Sequence, residues 1–468
     1  MNFYEKDTII AISTPIGKSG IGIIKISGNN VNEISKIFFK KKKLKDRLAE
    51  FSKFINPFNN KYEIIDEGIL IFFKSPNSYT GEDILEFQCH GNPIILNYIL
   101  DCIIKNKYAR LAYNGEFSKR AYLNNKIDLI QAESILNIIE SESIDLVKLS
   151  FKSLKGNFSK KVNNIINLLN NIKIDIESLI DFSYENIDVS YKNINNLFIY
   201  VKKKIKILIN ESKKNLFLSN KLNISIIGNP NVGKSTLFNK LINKNKAIVT
   251  SIPGTTRDIL CDKFSLNNID INIFDSAGIH NTDNIVEKIG IKYTKKNLNK
   301  SNYLLIVINT KIDISEINSN NILNILKDNL NKYIFSIIKK NKIEFLIIKN
   351  KSDINNEKPG LYKFNNINII NISAKKNIGI NIIKKFLINK FNFNISNTTF
   401  LSSKRYINLM ENSLEILNEF KDIYECNDIV LFLNNISLSI KKIIEITGKE
   451  LSNDEILNKI FSKFCIGK

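Results

Sequence analysis

The chain has 468 residues, 43% of them hydrophobic, and a formal net charge of +22. This length is too great for one core and predicts three or four domains. Five cysteines without Cys-x-x-Cys spacing indicate neither a zinc site nor a disulfide framework, and they fit a reducing, cytoplasmic setting. The sequence shows no signal-peptide profile and no apolar run approaching about 18 residues, so we expect no membrane span.

The excess of positive charge has two interpretations. Lysines attract nucleic acid because they neutralise its phosphates. However, Lys, Asn and Ile are abundant throughout this chain, including the Asn-rich stretch 318–324, and a coding bias would produce the same excess. The charge is therefore compatible with an RNA partner and does not require one.

The first 120 residues read as a small α+β domain. β-rich apolar runs cover Ile9–Ile12, Ile21–Ile26 and Glu67–Phe73, and one apolar helix covers Ile94–Ile104.

Residues 121–215 read as the first part of a helical domain. Apolar residues recur at a helical period from Leu129 to Asn171, and Gly156 interrupts this pattern without ending it. Further helices are predicted over Ile172–Ile180 and Ile194–Leu208.

Residues 228–235 form a phosphate-binding loop, Gly-Asn-Pro-Asn-Val-Gly-Lys-Ser. It follows the apolar run Leu222–Ile227 and precedes a predicted helix, Thr236–Leu241, which is the setting that this motif requires. Lys234 would reach the β- and γ-phosphates, and the Ser235 hydroxyl would bind Mg²⁺. The predicted phosphate contacts come from Asn231, Val232, Gly233, Lys234, Ser235 and Thr236.

Three downstream segments, each after a buried strand, predict that the nucleotide is GTP. They are Asp275-Ser276-Ala277-Gly278, Asn350-Lys351-Ser352-Asp353 and Ser373-Ala374-Lys375. An aspartate can bind Mg²⁺ through water in the first segment, and the Gly278 amide can meet the γ-phosphate. The Asp353 carboxylate would accept both guanine N–H donors, a pair that adenine lacks. Parallel strands would bring all of these groups to one edge of the sheet.

The segment Thr250-Ser251-Ile252-Pro253-Gly254-Thr255-Thr256 lies where a first switch loop belongs, and Thr256 is the candidate for a second Mg²⁺ hydroxyl. A Ras-like enzyme orients its attacking water with a glutamine just after Gly278. Ile279 occupies that position, so another group must orient the water.

The predicted fold is an α/β P-loop GTPase domain, residues 216–380, inserted in an α-helical domain and preceded by the small α+β domain. The helical domain would resume at 381–468 with predicted helices over Ile382–Phe391, Tyr406–Tyr424, Asp428–Gly448 and Asp454–Phe464. This topology would return Lys468 to the N-terminal domain.

Over nearly its whole length the chain resembles the MnmE (TrmE) family of tRNA-modification GTPases. The resemblance rests on Gly20–Gly28, Pro76–Asp83, Glu86–Gly91, Asn124–Leu129 and the tail Phe461-Ser462-Lys463-Phe464-Cys465-Ile466-Gly467-Lys468. The tail is the most specific of these, because a P-loop protein need not end in Cys-x-Gly-Lys.

The resemblance implies a potassium-stimulated GTPase whose GTPase domains pair across a homodimer and rearrange when GTP is hydrolysed. It also implies that the N-terminal domain, residues 1–120, binds folate and forms the dimer. The K⁺ ligands of the family map onto Asn231, Thr250, Ile252 and Thr255. The water-orienting acid of the family maps onto Glu287. Glu287 and Lys234 are the predicted catalytic residues. From the residues alone, Glu287 is a solvated helix carboxylate.

The resemblance also implies a tRNA substrate, whose wobble uridine receives a carboxymethylaminomethyl-type group at C5. The implied partner is an MnmG-type flavoprotein, which carries FAD and forms a heterotetramer with this chain. A one-carbon tetrahydrofolate also takes part in the modification. The folate pocket maps onto Lys25, Glu86, Lys126 and Lys468. Lys25 stands where the family pattern has arginine. Cys465 is either a reactive thiol beside lysines or a small buried residue beside Phe461 and Phe464.

Two alternatives stay open at this point. A ribosome-assembly GTPase would share the nucleotide motifs but would need neither a one-carbon pocket nor the Cys-x-Gly-Lys tail. A scaffold without activity is disfavoured by the intact nucleotide motifs.

Overall fold

The computed structural model describes residues 7–58, 63–141, 143–181, 191–219, 222–242, 261–266, 269–275, 301–308, 335–336, 343–354, 357–364, 367–391, 400–424, 428–449 and 454–467. The chain divides into two compact units. The first comprises Met1–Ile139, Ser153–Lys202 and Leu409–Lys468, and the second comprises Glu140–Lys152 and Lys203–Asn408.

The described strands are β1 (Ile9–Ile12), β2 (Ser19–Ser27), β3 (Ala49–Asn56), β4 (Glu63–Phe73), β5 (Ile84–Gly91), β6 (Arg110–Leu111), β7 (Leu222–Gly228), β8 (Cys261–Leu266), β9 (Ile269–Asp275), β10 (Tyr303–Ile308), β11 (Glu344–Lys349), β12 (Gly360–Phe364) and β13 (Ile367–Asn371). The described helices are α1 (Val31–Phe38), α2 (Pro93–Lys105), α3 (Glu116–Leu123), α4 (Leu129–Glu140), α5 (Ile144–Leu154), α6 (Asn157–Asp181), α7 (Tyr191–Ser219), α8 (Lys234–Ile242), α9 (Ile380–Lys390), α10 (Lys404–Asn418), α11 (Ile429–Thr447) and α12 (Asp454–Phe461).

The first unit is built on a six-stranded sheet of order β3-β4-β5-β2-β1-β6, in which only the β1–β6 pair is parallel. Alternate strand residues such as Ile24, Leu85 and Phe87 are buried in one core with residues of α1 and α2. On the opposite face, Phe117 of α3 packs with Ala11 of β1. The β3–β4 part of that face is exposed, as Phe51 of β3 shows with 63% of its surface accessible.

A buried ionic cluster connects α3 to the start of β1. The Arg120 guanidinium, only 5% exposed, lies 2.7 Å from Asp7, 3.0 Å from Glu116 and 3.1 Å from Glu82. Arg110 donates to both oxygens of Glu116 at 2.7 and 2.8 Å. Burial opposes ionisation of Glu116, but these hydrogen bonds outweigh it and lower the pKa of the carboxyl.

Distant parts of the sequence meet in this unit. Helix α6 packs along α11, and each contributes a row of buried apolar side chains at helical spacing, for example Leu169 and Ile436. The segment after α12 returns to the sheet, because the Gly467 carbonyl accepts from the Ser13 hydroxyl at 3.2 Å. A side chain at Gly467 would lie 2.4 Å from the Ile12 carbonyl oxygen, so this close approach needs glycine.

The second unit is built on a seven-stranded sheet of order β12-β13-β11-β10-β7-β9-β8. Its five inner strands are parallel, and β8 and β12 pair antiparallel at the two edges. β7 lies between β9 and β10. The chain after β7 first forms β8 and β9 on one side of it and then crosses to form β10 on the other side. A ligand crevice forms at such a switch point, beyond the carboxyl ends of the strands.

The predicted fold class is confirmed, although several elements were not predicted. Gly156, at φ +82°, separates α5 from α6, so the expected continuous pattern is divided into distinct helices. The sequence prediction did not name β3, β5, β8, β10 or β12. Leu149 and Leu401, assigned from sequence to the helical segments, belong to the apolar core of the second unit. The predicted domain boundaries stay predictions. In the described part of the chain, no helix combines the length and apolarity needed to cross a membrane.

Candidate functional site

The phosphate-binding loop begins where β7 ends, as its motif predicts. Gly228 has φ +155°, and a Cβ there would lie 2.2 Å from the Val307 carbonyl oxygen, so only glycine allows the strand to end beside β10. Asn231 adopts the left-handed region at φ +63°, which asparagine tolerates better than most residues. The loop then leads into α8 at Lys234, whose amine donates to the Asn229 carbonyl at 2.8 Å.

Asn350 connects the phosphate-binding loop to the loop after β13. Its Nδ2 donates to the Val232 carbonyl at 2.8 Å, and its Oδ1 accepts from the Ala374 amide at 2.9 Å. A Cβ at Gly233 would lie 2.3 Å from that Nδ2 atom, so the second glycine of the motif is needed for this contact. One buried amide therefore fixes the relative positions of three loops.

Asp353, the predicted base-recognition residue, is held in place by the neighbouring loop. The Ser373 hydroxyl donates to its Oδ1 at 2.6 Å. This hydrogen bond lowers the pKa of the Asp353 carboxyl, so the group stays ionised at neutral pH. An ionised carboxylate is an acceptor only, as the guanine N1 and N2 donors require.

Beneath this loop lies a second buried ion pair. The Lys349 amine, with no exposed side-chain area, is 2.7 Å from Glu357 Oε1. Asn371 Nδ2 donates to Glu357 Oε2 at 3.0 Å. Because Lys349 directly precedes Asn350 and Asn371 ends β13, this pair holds together the two strand ends that carry the base-contacting loops.

These groups surround one cavity of about 700 Å³. It is lined by Asn231, Gly233, Lys234, Ser235, Thr236, Asn350, Lys351, Asp353, Ile354 and Lys375. Ser235 lies in it beside Lys234, at the start of α8, so a Mg²⁺ ion bound to nucleotide phosphates fits the hydroxyl available there. Val232, Ser373 and Ala374 reach the site through the hydrogen bonds given above.

Other predicted nucleotide-site residues lie outside the described residues. They are Thr250, Ser251, Ile252, Pro253, Gly254, Thr255, Thr256, Ser276, Ala277, Gly278 and Glu287. Asp275 is the last residue of β9, the strand-end position expected for it. The Mg²⁺ role of Thr256, the K⁺ roles and the catalytic role of Glu287 stay predictions.

Three of the four predicted folate residues come together on the sheet of the first unit. Lys25 Nζ lies 3.3 Å from Glu86 Oε1 across the β2–β5 pair. Glu86 and Lys126 line a separate cavity of about 400 Å³ with Phe73, Tyr79 and Arg47. The Tyr79 hydroxyl is hydrogen-bonded to Ser118 at 2.7 Å, and burial raises its pKa. Lys468 lies outside the described residues, whereas its neighbour Gly467 lies against β1.

Cys465 has an exposed side chain, which contradicts the buried alternative. Its carbonyl accepts from the Gly115 amide at 3.4 Å, so the tail is held on the N-terminal domain by its backbone. The sequence reasoning missed Arg47, Lys349 and Glu357. The pattern around Arg47 gave no signal, because the residue reaches the cavity only through the turn before β3.

A switch-point cavity lined by a phosphate-binding loop and by the Asp353 carboxylate of an Asn-Lys-x-Asp segment defines a GTP-binding hydrolase of the P-loop class. Residues 8–126 match the family model of the GTP-binding protein TrmE N-terminus, and residues 129–465 match that of the MnmE helical domain. The chain belongs to the MnmE family of tRNA modification GTPases.

Individual relatives agree over full length. The chain is 43% identical to the tRNA modification GTPase MnmE of Buchnera aphidicola subsp. Cinara cedri, covering 100% of both chains. It is 40% identical to that of Wigglesworthia glossinidia brevipalpis, covering 99% of this chain and 100% of the relative. Among solved structures, the FeoB G-domain from Methanococcus jannaschii is 23% identical, covers 37% of this chain and 99% of that one, and has a TM-score of 0.26. The family assignment favours tRNA modification over the ribosome-assembly alternative.

Proposed function

We propose that this GTPase is stimulated by potassium and acts in the cytoplasm with an MnmG-type, FAD-carrying flavoprotein. With a one-carbon tetrahydrofolate it adds a carboxymethylaminomethyl-type group to C5 of the wobble uridine of certain tRNAs. The observation that carries the folate part is that Glu86 is paired with Lys25 and also lines one cavity with Lys126, although the three residues come from separate parts of the sequence. A tRNA-modifying GTPase without carbon transfer would need no such pocket.

The residues around the 400 Å³ cavity match the chemistry of a folate. The Glu86 carboxylate can accept from the pterin N–H donors, and the Phe73 and Tyr79 rings offer apolar surface to a flat ring. Lys126 can meet the anionic glutamate tail. Lys25 keeps the charge of the expected arginine but loses its planar fork, so it orients Glu86 by a single ion pair.

In the nucleotide cavity, Lys234 and Ser235 would hold the phosphates and Mg²⁺. When bound beside Asn231, a K⁺ ion would neutralise charge that develops on the phosphates, as an arginine does in other GTPases. Glu287 would orient the water, because Ile279 cannot.

We further propose that the protein is a homodimer formed through the N-terminal domain. By strand register, Phe51 of β3 is paired with Ile69 of β4, and these side chains are 63% and 42% exposed. An exposed apolar row on a sheet face is typical of an interface. A sedimentation measurement that finds only monomers at micromolar concentration contradicts this assignment.

Folate binding tests the proposal most directly. The full-length protein is expected to bind 5-formyltetrahydrofolate, measured by calorimetry. Glu86→Gln should weaken binding about 10-fold or more, because it removes an ionised acceptor for the pterin donors. The matched control is Glu67→Gln. Glu67 lies on β4 of the same sheet and forms an exposed pair with Lys53 of β3, so this variant should bind the folate normally. Absence of binding to the unmodified protein contradicts the folate pocket.

A further inference from the structure

Two cationic side chains, Lys126 and Arg47, hold the loop between β4 and β5, which lines the proposed folate cavity. Lys126 Nζ donates to the Pro76 carbonyl at 2.8 Å. Arg47 Nη2 donates to the carbonyl of the next residue, Asn77, at 2.6 Å. Both side chains line the cavity and donate to the carbonyls of adjacent residues, so two positive groups lie at the end of the cavity that this loop forms.

The charge at this end is only weakly compensated. Backbone carbonyls accept hydrogen bonds but do not neutralise a cation. The nearest carboxylate to Arg47 is that of Asp46, whose Oδ2 is 3.8 Å from Nε, and the Arg47 side chain is 60% exposed, so this pair is weak. Glu86, the carboxylate that lines the cavity, is already paired with Lys25. An anionic ligand group at this end would therefore meet two cations.

The backbone directs Arg47 into this position. Arg47 has φ +57°, the left-handed region, which is unfavourable for a residue with a long side chain. The conformation is held because the Arg47 amide donates to the Phe72 carbonyl at 2.7 Å and Asp46 Oδ1 accepts from the Lys74 amide at 2.8 Å. Strain of this kind is concentrated at functional sites, where the surrounding structure maintains it.

We propose that Arg47 binds the glutamate-tail carboxylates of the folate and thereby selects folates over pterins that lack the tail; this inference rests on the proposed function of the same cavity. The planar guanidinium can bind a carboxylate through two parallel N–H donors, which the Lys126 ammonium cannot do. The pterin end would then lie toward Glu86, and a longer polyglutamate tail would extend past Arg47 into solvent.

The test compares three ligands on the full-length protein by calorimetry. They are 5-formyltetrahydropteroate, which has no glutamate, 5-formyltetrahydrofolate and its triglutamate. The unmodified protein is expected to bind the two glutamate-bearing ligands about 10- to 100-fold more tightly than the pteroate, the range for a charged hydrogen-bonded pair. Arg47→Gln should remove most of this preference while leaving pteroate affinity unchanged, since only Lys126 then faces the tail, and Arg47→Lys should restore part of it. Lys105→Gln, which removes an exposed cation on α2, is the charge-matched control.

The outcomes distinguish a failure of tail recognition by Arg47 from a failure of the folate pocket itself. If Arg47→Gln weakens all three ligands equally, or if it keeps the full preference, the role of Arg47 in tail recognition is overturned while the folate pocket stands. If the unmodified protein binds all three ligands equally, tail selection itself is overturned. If it binds none of them, the folate pocket fails and the inference fails with it.

Discussion

Asp353 is the residue that we propose decides which nucleotide the site accepts. Ser373 holds its carboxylate in place, and Asn350 fixes the loop on which it lies. This role is a prediction from the sequence, and it rests on the order of three motifs that each follow a buried strand. The sequence did not predict Arg47 in the other cavity, because the approach of that side chain depends on a left-handed turn that no residue pattern specifies.

Replacing Asp353 with asparagine should exchange the preferred base. The asparagine side chain can accept from N1–H of xanthine and donate to its C2 carbonyl. With guanine, the asparagine N–H donor would instead face the N–H donor of the C2 amino group. We expect GTP affinity to fall about 100-fold or more and xanthosine triphosphate affinity to rise. Fluorescent nucleotide titration measures both affinities. Asp353→Ala should lose GTP without gaining the xanthine nucleotide; an asparagine variant that still prefers GTP would rule out this base contact.

At the scale of elements, the strand ends of the second sheet are joined by the buried Lys349–Glu357 pair and by Asn371. β10, whose six residues are all buried, has the continuous hydrophobic pattern of a buried parallel strand but was not named from the sequence. Strands β7, β9, β11 and β13 were predicted from their apolar residues. The edge strands β8 and β12 were not, since their mixed sequences resemble loops. A lysine inside a strand is also usually read as exposed, and only the structure reveals the partner that allows Lys349 to be buried.

Glu357→Gln should weaken both the domain and its nucleotide site. The change leaves the Lys349 charge buried without an anionic partner, which costs about 3 kcal/mol of unfolding free energy. We expect a loss of GTP affinity as well, because the loop carrying Asp353 loses its support. Urea unfolding and nucleotide titration measure the two effects. Glu344→Gln, from an exposed pair with Lys390, is the control and should change stability by less than about 1 kcal/mol. Equal effects of the two substitutions would show that the buried pair does not support this loop.

For the whole molecule, the order of motifs along the chain made the insertion topology predictable, since helical periodicity flanks the nucleotide motifs on both sides. The composition of the two units was less accessible. The segment around Leu149 is amphipathic, and periodicity gives the face that is buried but not the partner that covers it. The proposed potassium requirement likewise came from the family resemblance. Of its predicted ligands, Asn231 lies within the described residues, where it lines the nucleotide cavity.

GTP turnover is expected to be faster in K⁺ than in Na⁺ at equal ionic strength, because the family resemblance implies a GTPase that potassium stimulates. Asn231→Lys should abolish the difference, since a tethered ammonium would replace the ion. Glu287→Ala should lower turnover in K⁺ without weakening GTP binding. Steady-state phosphate release measures all three. Asn377→Lys adds the same charge at another left-handed asparagine and should keep the cation dependence. Equal rates of the unmodified protein in both salts would exclude potassium stimulation.

The pairing of α6 with α11 has a consequence for biosynthesis. About 250 residues separate the two helices, so at 5–20 residues per second a ribosome needs roughly 10–50 s to make the second after the first. During that interval, the α6 side chains that pack on α11 lack that partner, although the inserted nucleotide-binding unit has time to fold. Nascent chains are therefore most exposed to aggregation, and most dependent on chaperones, before residue 429 emerges from the ribosome.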